Sequence, residues 1–137
     1  MAVVVELIRK ESDGTISFGD YTLNVKSKVS DFEHEGDLYK VKTFNEITKL
    51  EKNGMFVFES VPGTSVFHLD SKENQVCFQI AGQDTAQITL ELEAEKEYEI
   101  HRDDVQLGKM KTNLGGKLVF SLELREEEKA FIKVVKL

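Results

Sequence analysis

Residues 75–92 read QVCFQIAGQDTAQITLEL, two runs of alternating apolar and polar residues around a short polar break. In the first, Val76, Phe78 and Ile80 fall on one side of an extended chain, and Gln75, Cys77 and Gln79 on the other. In the second, Ile88, Leu90 and Leu92 alternate with Gln87, Thr89 and Glu91. Successive side chains of a strand point to opposite faces, so each run has one face for a core and one for water. That is the pattern of strands in an antiparallel sheet.

The same pattern recurs along the chain. KLVFSLEL (117–124) places Leu118, Phe120, Leu122 and Leu124 in one row, and YTLNVK (21–26) does so with Tyr21, Leu23 and Val25. Asp13-Gly14, Gly36-Asp37, Asn53-Gly54 and Gly115-Gly116 lie between such runs and can supply the positive φ angles of tight hairpins. VVVELI (3–8) and MFVFES (55–60) are apolar on both faces, as central strands covered on two sides would be. NEITKLEKNG (45–54) fits a short helix capped by Asn45, but the Asn-Gly pair turns the reading toward a strand entering a hairpin. These segments predict an all-β protein, a two-layer, mostly antiparallel β-sandwich or flattened barrel.

The composition shifts near residue 94. ELEAEKEYEIHRDD (91–104) carries seven acidic residues against Lys96 and Arg102. The reading therefore divides the chain into a sandwich domain over 1–94 and a small C-terminal β lobe over 95–137. VPGTSVFHLD (61–70) contains the chain's one proline. Pro62 followed by Gly63 signals a type II turn, which suits a strand changing sheets better than a tight hairpin. Beyond it, Ser65, Phe67 and Leu69 are expected on one face, and Val66 and His68 on the other.

Composition narrows the function. Hydrophobic residues make up 40% and charged residues 31%, as in soluble globular domains. The 25 acidic and 18 basic side chains give a formal charge of −7, which disfavours nucleic acid and anionic membranes as partners. Cys77 stands alone, which favours a reducing compartment and leaves no thiolate cluster for zinc. MAVVVELIRK has no basic residue ahead of its apolar run and is read as a first strand instead of a signal peptide. No stretch approaches the roughly 18 consecutive apolar residues of a membrane helix. The expected location is the cytoplasm, or a phage or other assembly.

The chemical candidates are few. EHEGD (33–37) sets His34 between carboxylates, with Glu35 and Asp37 beside it. His68 follows the Pro-Gly corner, and His101 precedes Asp103. Strand geometry sends Ser65 and His68 apart, so they form no nucleophile and base pair as neighbours. The odd-numbered glutamates from 91 to 99 line up along a strand and do not converge as calcium ligands must. No His-x-x-x-His, no Gly-x-Ser-x-Gly and no phosphate-binding glycine loop is present. No catalytic residue and no cofactor or metal site is therefore expected.

ESDGTISFGDYTL (11–23), TKLEKNGMFVFESVPGTSV (48–66) and TNLGGKLVFSLEL (112–124) resemble a group of short Firmicute proteins, some labelled endosialidase-like. The resemblance implies a bacterial or phage-derived protein and carries over no catalytic residue. The leading expectation is a non-enzymatic interaction or assembly module with a protein partner or a second copy. A carbohydrate or small-ligand binding domain is the alternative, and a glycoside-type hydrolase the third. The absence of tryptophan, with only Tyr21, Tyr39 and Tyr98 as tyrosines, weakens the sugar reading.

Overall fold

The computed structural model describes residues 2–126 and 128–137, so Met1 of the expected first strand lies outside the described residues. The fold is an antiparallel β-sandwich of two open sheets. The first is ordered β1 (Ile8–Lys10), β2 (Ile16–Phe18), β7 (Ser65–Ser71), β8 (Gln75–Ala81), β13 (Ala130–Lys136), β10 (Glu97–Arg102) and β11 (Val105–Lys111). The second is ordered β12 (Lys117–Leu122), β9 (Ala86–Glu91), β6 (Met55–Val61), β5 (Thr48–Lys52), β4 (Asp37–Thr43) and β3 (Ser27–His34). Neither order closes on itself, so the sandwich, and not the flattened barrel, describes the chain.

The two runs at 75–92 become β8 and β9, one in each layer, and their apolar rows meet across the core. Phe58 on β6 makes edge-on contacts with Phe18 and Phe78 of the opposite sheet, at ring-centroid distances of 5.4 and 5.9 Å. Burying such a ring stabilises the fold by about 2 to 3 kcal/mol, and each edge-to-face contact adds about 1 kcal/mol. Segment 45–54 is strand where the Asn-Gly pair placed it: Asn53 and Gly54, at φ +51° and +79°, turn β5 into β6.

Several expectations are corrected. Residues 95–137 do not gather into a lobe. β10, β11 and β13 extend the first sheet and β12 the second, and Ile100, Leu118, Phe120 and Ile132 join the same core as Phe58. Gly115-Gly116 is no hairpin, because it lies between β11 and β12 of different sheets. The hairpin of this region turns instead on Asp103 and Asp104, both at positive φ.

VVVELI is not a central strand. The Leu7 N–H turns back onto the Val4 carbonyl, burying Val4 beside Tyr21 and Phe67 and leaving Val5 78% exposed. YTLNVK is not a strand either. Asp20 Oδ1 accepts from both the N–H and the hydroxyl of Thr22, an Asx-type turn that competes with the sheet ladder. Tyr21 is buried while Val25 is 75% exposed. MFVFES is central by pairing, between β5 and β9, but Met55 at its start is exposed.

The corner at 61–64 passes from the second sheet to the first, as expected for a strand that changes layers. It is not a type II turn. The Val61–Pro62 bond is cis, and Gly63 does not adopt the positive φ which that turn demands. A Cβ on Gly63 would lie 2.0 Å from the Phe44 carbonyl oxygen, so close backbone approach is what requires glycine there.

Candidate functional site

At one end of the sandwich the turns β1–β2, β3–β4 and β5–β6 meet the outer end of β7. They enclose a cleft of about 270 Å³. This cleft collects three of the predicted residues, His34, Glu35 and Asp37. His34 is buried, and its Nε2 lies 2.9 Å from the Gly14 carbonyl oxygen. A carbonyl only accepts, so Nε2 is the donor in this bond. Asp37 takes a hydrogen bond from Asn53 Nδ2 at 2.8 Å and faces Lys52 Nζ at 3.3 Å. Tyr39, also on the wall, has its phenol pushed up by burial. Asp70, Ser71 and Glu91 complete the polar wall above a floor of Ile16, Val57 and Leu69. Sequence reasoning missed Asp70 because β7 of the other sheet is brought to the cleft only by the fold, and it passed over Tyr39 although that residue shares β4 with Asp37.

His68 lies outside this cleft, in a different arrangement. It sits at φ +54° in a β-bulge, where β7 carries one residue more than β2 or β8 across from it. The extra residue parts Leu69 from Phe67, with which it was expected to share a face. Val66 and Leu69 enter the main core, and Phe67 packs with Val4 and Tyr21 in a second cluster. The His68 N–H donates to Ser17 Oγ at 3.0 Å, and Ser17 Oγ donates to Glu11 Oε2 at 2.5 Å. The imidazole Nδ1 lies 3.1 Å from both Asp13 Oδ2 and Thr15 Oγ1. Thr15 gives its one hydroxyl hydrogen to Asp13, so Nδ1 is the donor to both. A serine, a histidine and two acids are therefore assembled, but the serine hydroxyl meets the His68 backbone and not its imidazole. The cluster braces the β1–β2 hairpin against the bulge, and Ser17 is not set against the imidazole as a serine nucleophile is set against its base.

These bonds have a pH consequence. Ser17 chiefly holds Glu11 below the usual carboxylate range, Thr15 does so for Asp13, and Asn53 for Asp37. A carboxyl with a lowered folded-state pKa contributes stability that is complete above its unfolded value and is lost as pH falls through the folded one. The urea midpoint should therefore decline as pH falls below about 4. In Asp13→Asn the decline should be shallower over the same interval. An identical acid limb in the two proteins would contradict the role given to Asp13.

His101 and Asp103 do not meet the other candidates. His101 Nε2 lies 2.6 Å from Glu99 Oε1 on β10. Asp103 exchanges two bonds with Phe131, its N–H donating to the carbonyl and its Oδ1 accepting from the N–H, and so ties the β10–β11 turn to β13. Among the described residues no three His, Cys, Asp or Glu side chains are placed to hold a metal ion, and no helix is long and apolar enough to cross a membrane.

A third feature lies on a long side of the sandwich. β11 closes one sheet and β12 the other, and among the described residues neither has a strand partner on its outer flank. Between them runs a groove of about 340 Å³, lined by Ile100, Leu107, Met110 and Phe120 together with Gly108, Lys109 and Ser121. Val105, Leu107 and Met110 of β11 are 64%, 52% and 39% exposed. The opposite side is closed where β1 meets β3, with Lys10 Nζ over the Phe32 ring.

The fold and these sites define a two-sheet antiparallel β-sandwich with a polar cleft and an open apolar edge. Comparison with known protein families, curated proteins and solved structures finds no match.

Proposed function

We propose that the protein is a non-enzymatic interaction module that takes an extended segment of a protein partner onto β11. The observation that carries this reading is an unpaired edge strand with three exposed apolar side chains beside an apolar groove. An incoming strand would satisfy the free backbone groups of β11 and lower apolar side chains into the groove, the mode of β-strand addition. Charge selects the partner. β11 carries Lys109 and Lys111, and the chain as a whole is at −7, so a second copy is repelled over the long range while an acidic segment meets lysines at the edge. Edge lysines also blunt indiscriminate strand pairing, which fits an edge kept for one kind of partner. A bacterial or phage origin is supported by the resemblance of three segments, and a reducing compartment by the unpaired Cys77.

Three peptide series of about ten residues test the reading, alternating valine with glutamate, serine or lysine. The glutamate series should bind most tightly, weaken as salt is added, and lose at least about tenfold in affinity to Leu107→Lys. Failure of all three series to bind, or undiminished binding by Leu107→Lys, would reject it.

A further inference from the structure

The open edge at β11 has a core-facing position without a side chain, and its meaning rests on the reading of that strand as an acceptor. On β10, Ile100 and Arg102 pair with the core residues Val134 and Ile132 of β13, so Tyr98, Ile100 and Arg102 share the core-facing side. Tyr98 and Arg102 both reach the other layer. The Glu93 N–H, just beyond β9, donates to the Tyr98 hydroxyl at 3.1 Å, and Arg102 Nη1 donates to the Glu123 carbonyl, just beyond β12, at 2.5 Å. Between these two bridges Ile100 is met from β11 by Gly108, as Tyr98 is met by Met110. Among the described residues no atom beyond the chain neighbours of Gly108 lies within 4 Å of where its Cβ would be. The backbone keeps the position bare, since φ +156° belongs to a region that glycine alone enters readily.

The bare position makes a notch in the groove. Ile100 and Phe120, 2% and 7% exposed, form its floor, and Leu107 and Met110 its rim. At about 340 Å³ the groove is close to the roughly 300 Å³ at which ligand pockets begin, room for one ring and not for several. A residue of an added strand set opposite Gly108 shares its face and points into the notch. An aromatic ring suits it. Phe120 offers an edge-to-face partner, Met110 a sulfur contact, and a ring laid over a glycine supplies the packing that glycine lacks in a sheet. The neighbours of that residue turn to the outer face, where Lys109 stands and where its cross-strand acid, Glu99, is already bonded to His101. β11 carries Lys109 and Lys111 and no acidic residue. We propose that the partner segment holds a phenylalanine between acidic residues, its ring seated against Gly108 and its acids meeting the lysines of β11.

Titration of the full chain with the peptide alternating valine and glutamate, and with the same peptide carrying phenylalanine for its central valine, tests this. The phenylalanine peptide should bind about tenfold more tightly. In its complex, nuclear Overhauser contacts should join the peptide ring protons to the Gly108 α protons and the Ile100 methyl groups. Gly108→Ala, which sets a methyl in the notch, should bind the two peptides alike. Because alanine is strained at that φ, the ring contacts in the parent chain carry the test independently of the variant. The proposal is overturned if the parent binds the two peptides equally, if the ring contacts neither Gly108 nor Ile100, or if Gly108→Ala keeps the full preference. Equal binding strikes the aromatic anchor and leaves strand addition standing, whereas failure of every peptide to bind strikes both.

Discussion

Gly63→Ala is expected to lower the unfolding free energy by about 4 kcal/mol, the upper part of the range for single substitutions. The new methyl would stand 2.0 Å from the Phe44 carbonyl oxygen and 3.2 Å from its carbon. Both are main-chain atoms, so no rotamer change relieves the contact. The corner between β6 and β7 has to move, and with it the junction of the two sheets. Since small domains are stable by only about 5 to 15 kcal/mol, a large part of the margin is at stake. Equilibrium urea unfolding measures the loss. Gly115→Ala is the control: its φ is not positive, its nearest neighbour is Asn113 Oδ1 at 3.4 Å, and it should stay within about 0.5 kcal/mol of the parent.

Thr48→Val is expected to cost about 3 kcal/mol, although it keeps the size and branching of the side chain. Thr48 is fully buried, and its hydroxyl serves three groups of two neighbours at that same corner. It donates to the Thr64 carbonyl at 2.7 Å and accepts from the Thr64 N–H at 3.1 Å. That leaves Thr43 Oγ1, 2.8 Å away, as a donor to it, while Thr43 Oγ1 accepts the Asp20 N–H at 2.9 Å. Valine strands the Thr64 carbonyl and N–H and the Thr43 hydroxyl away from water, and each unsatisfied buried group costs about 1 to 3 kcal/mol. Thr48→Ser keeps the hydroxyl and loses one methyl, so about 1 kcal/mol is expected. Equal losses in the two variants would show that packing, and not the hydroxyl network, holds the corner.

This corner also shows where sequence reading stops. Alternation in 75–82 and 87–92 identified β8 and β9 and their core faces, because a period of two is a local property and both strands are regular. The Asn53-Gly54 turn was legible for the same reason. The bulge at His68 was not, since one inserted residue leaves composition unchanged while moving Leu69 from the face of Phe67 to that of Val66. Thr43, Thr48, Ser60 and Thr64 gave no signal in the sequence, yet all are fully buried and bond one another or the backbone. A small hydroxyl residue satisfies either surrounding, and only its partners decide.

The site residues divide in the same way. His34, Glu35 and Asp37 stayed together because they flank one hairpin turn. His68 was set beside Glu11 and Asp13 of the distant β1–β2 hairpin, His101 met Glu99 two residues back on its own strand, and Asp103 became a turn residue at a positive φ, which aspartate tolerates better than most residues. The acidic run from 91 to 104 marked no domain boundary. It alternates with core residues such as Tyr98 and Ile100, so its charges line the outer face of strands whose inner face is shared with the rest of the chain.

The central functional claim is that β11 accepts a partner strand, and amide hydrogen exchange along that strand tests it most directly. In an antiparallel edge strand, alternate N–H groups point away from the sheet and are open to solvent. With the glutamate-alternating peptide bound, the account predicts that the outward amides within Val105–Lys111 become strongly protected while those of β1 and β3 keep their rates. Protection confined to other strands, or none on β11 at saturating peptide, would contradict it.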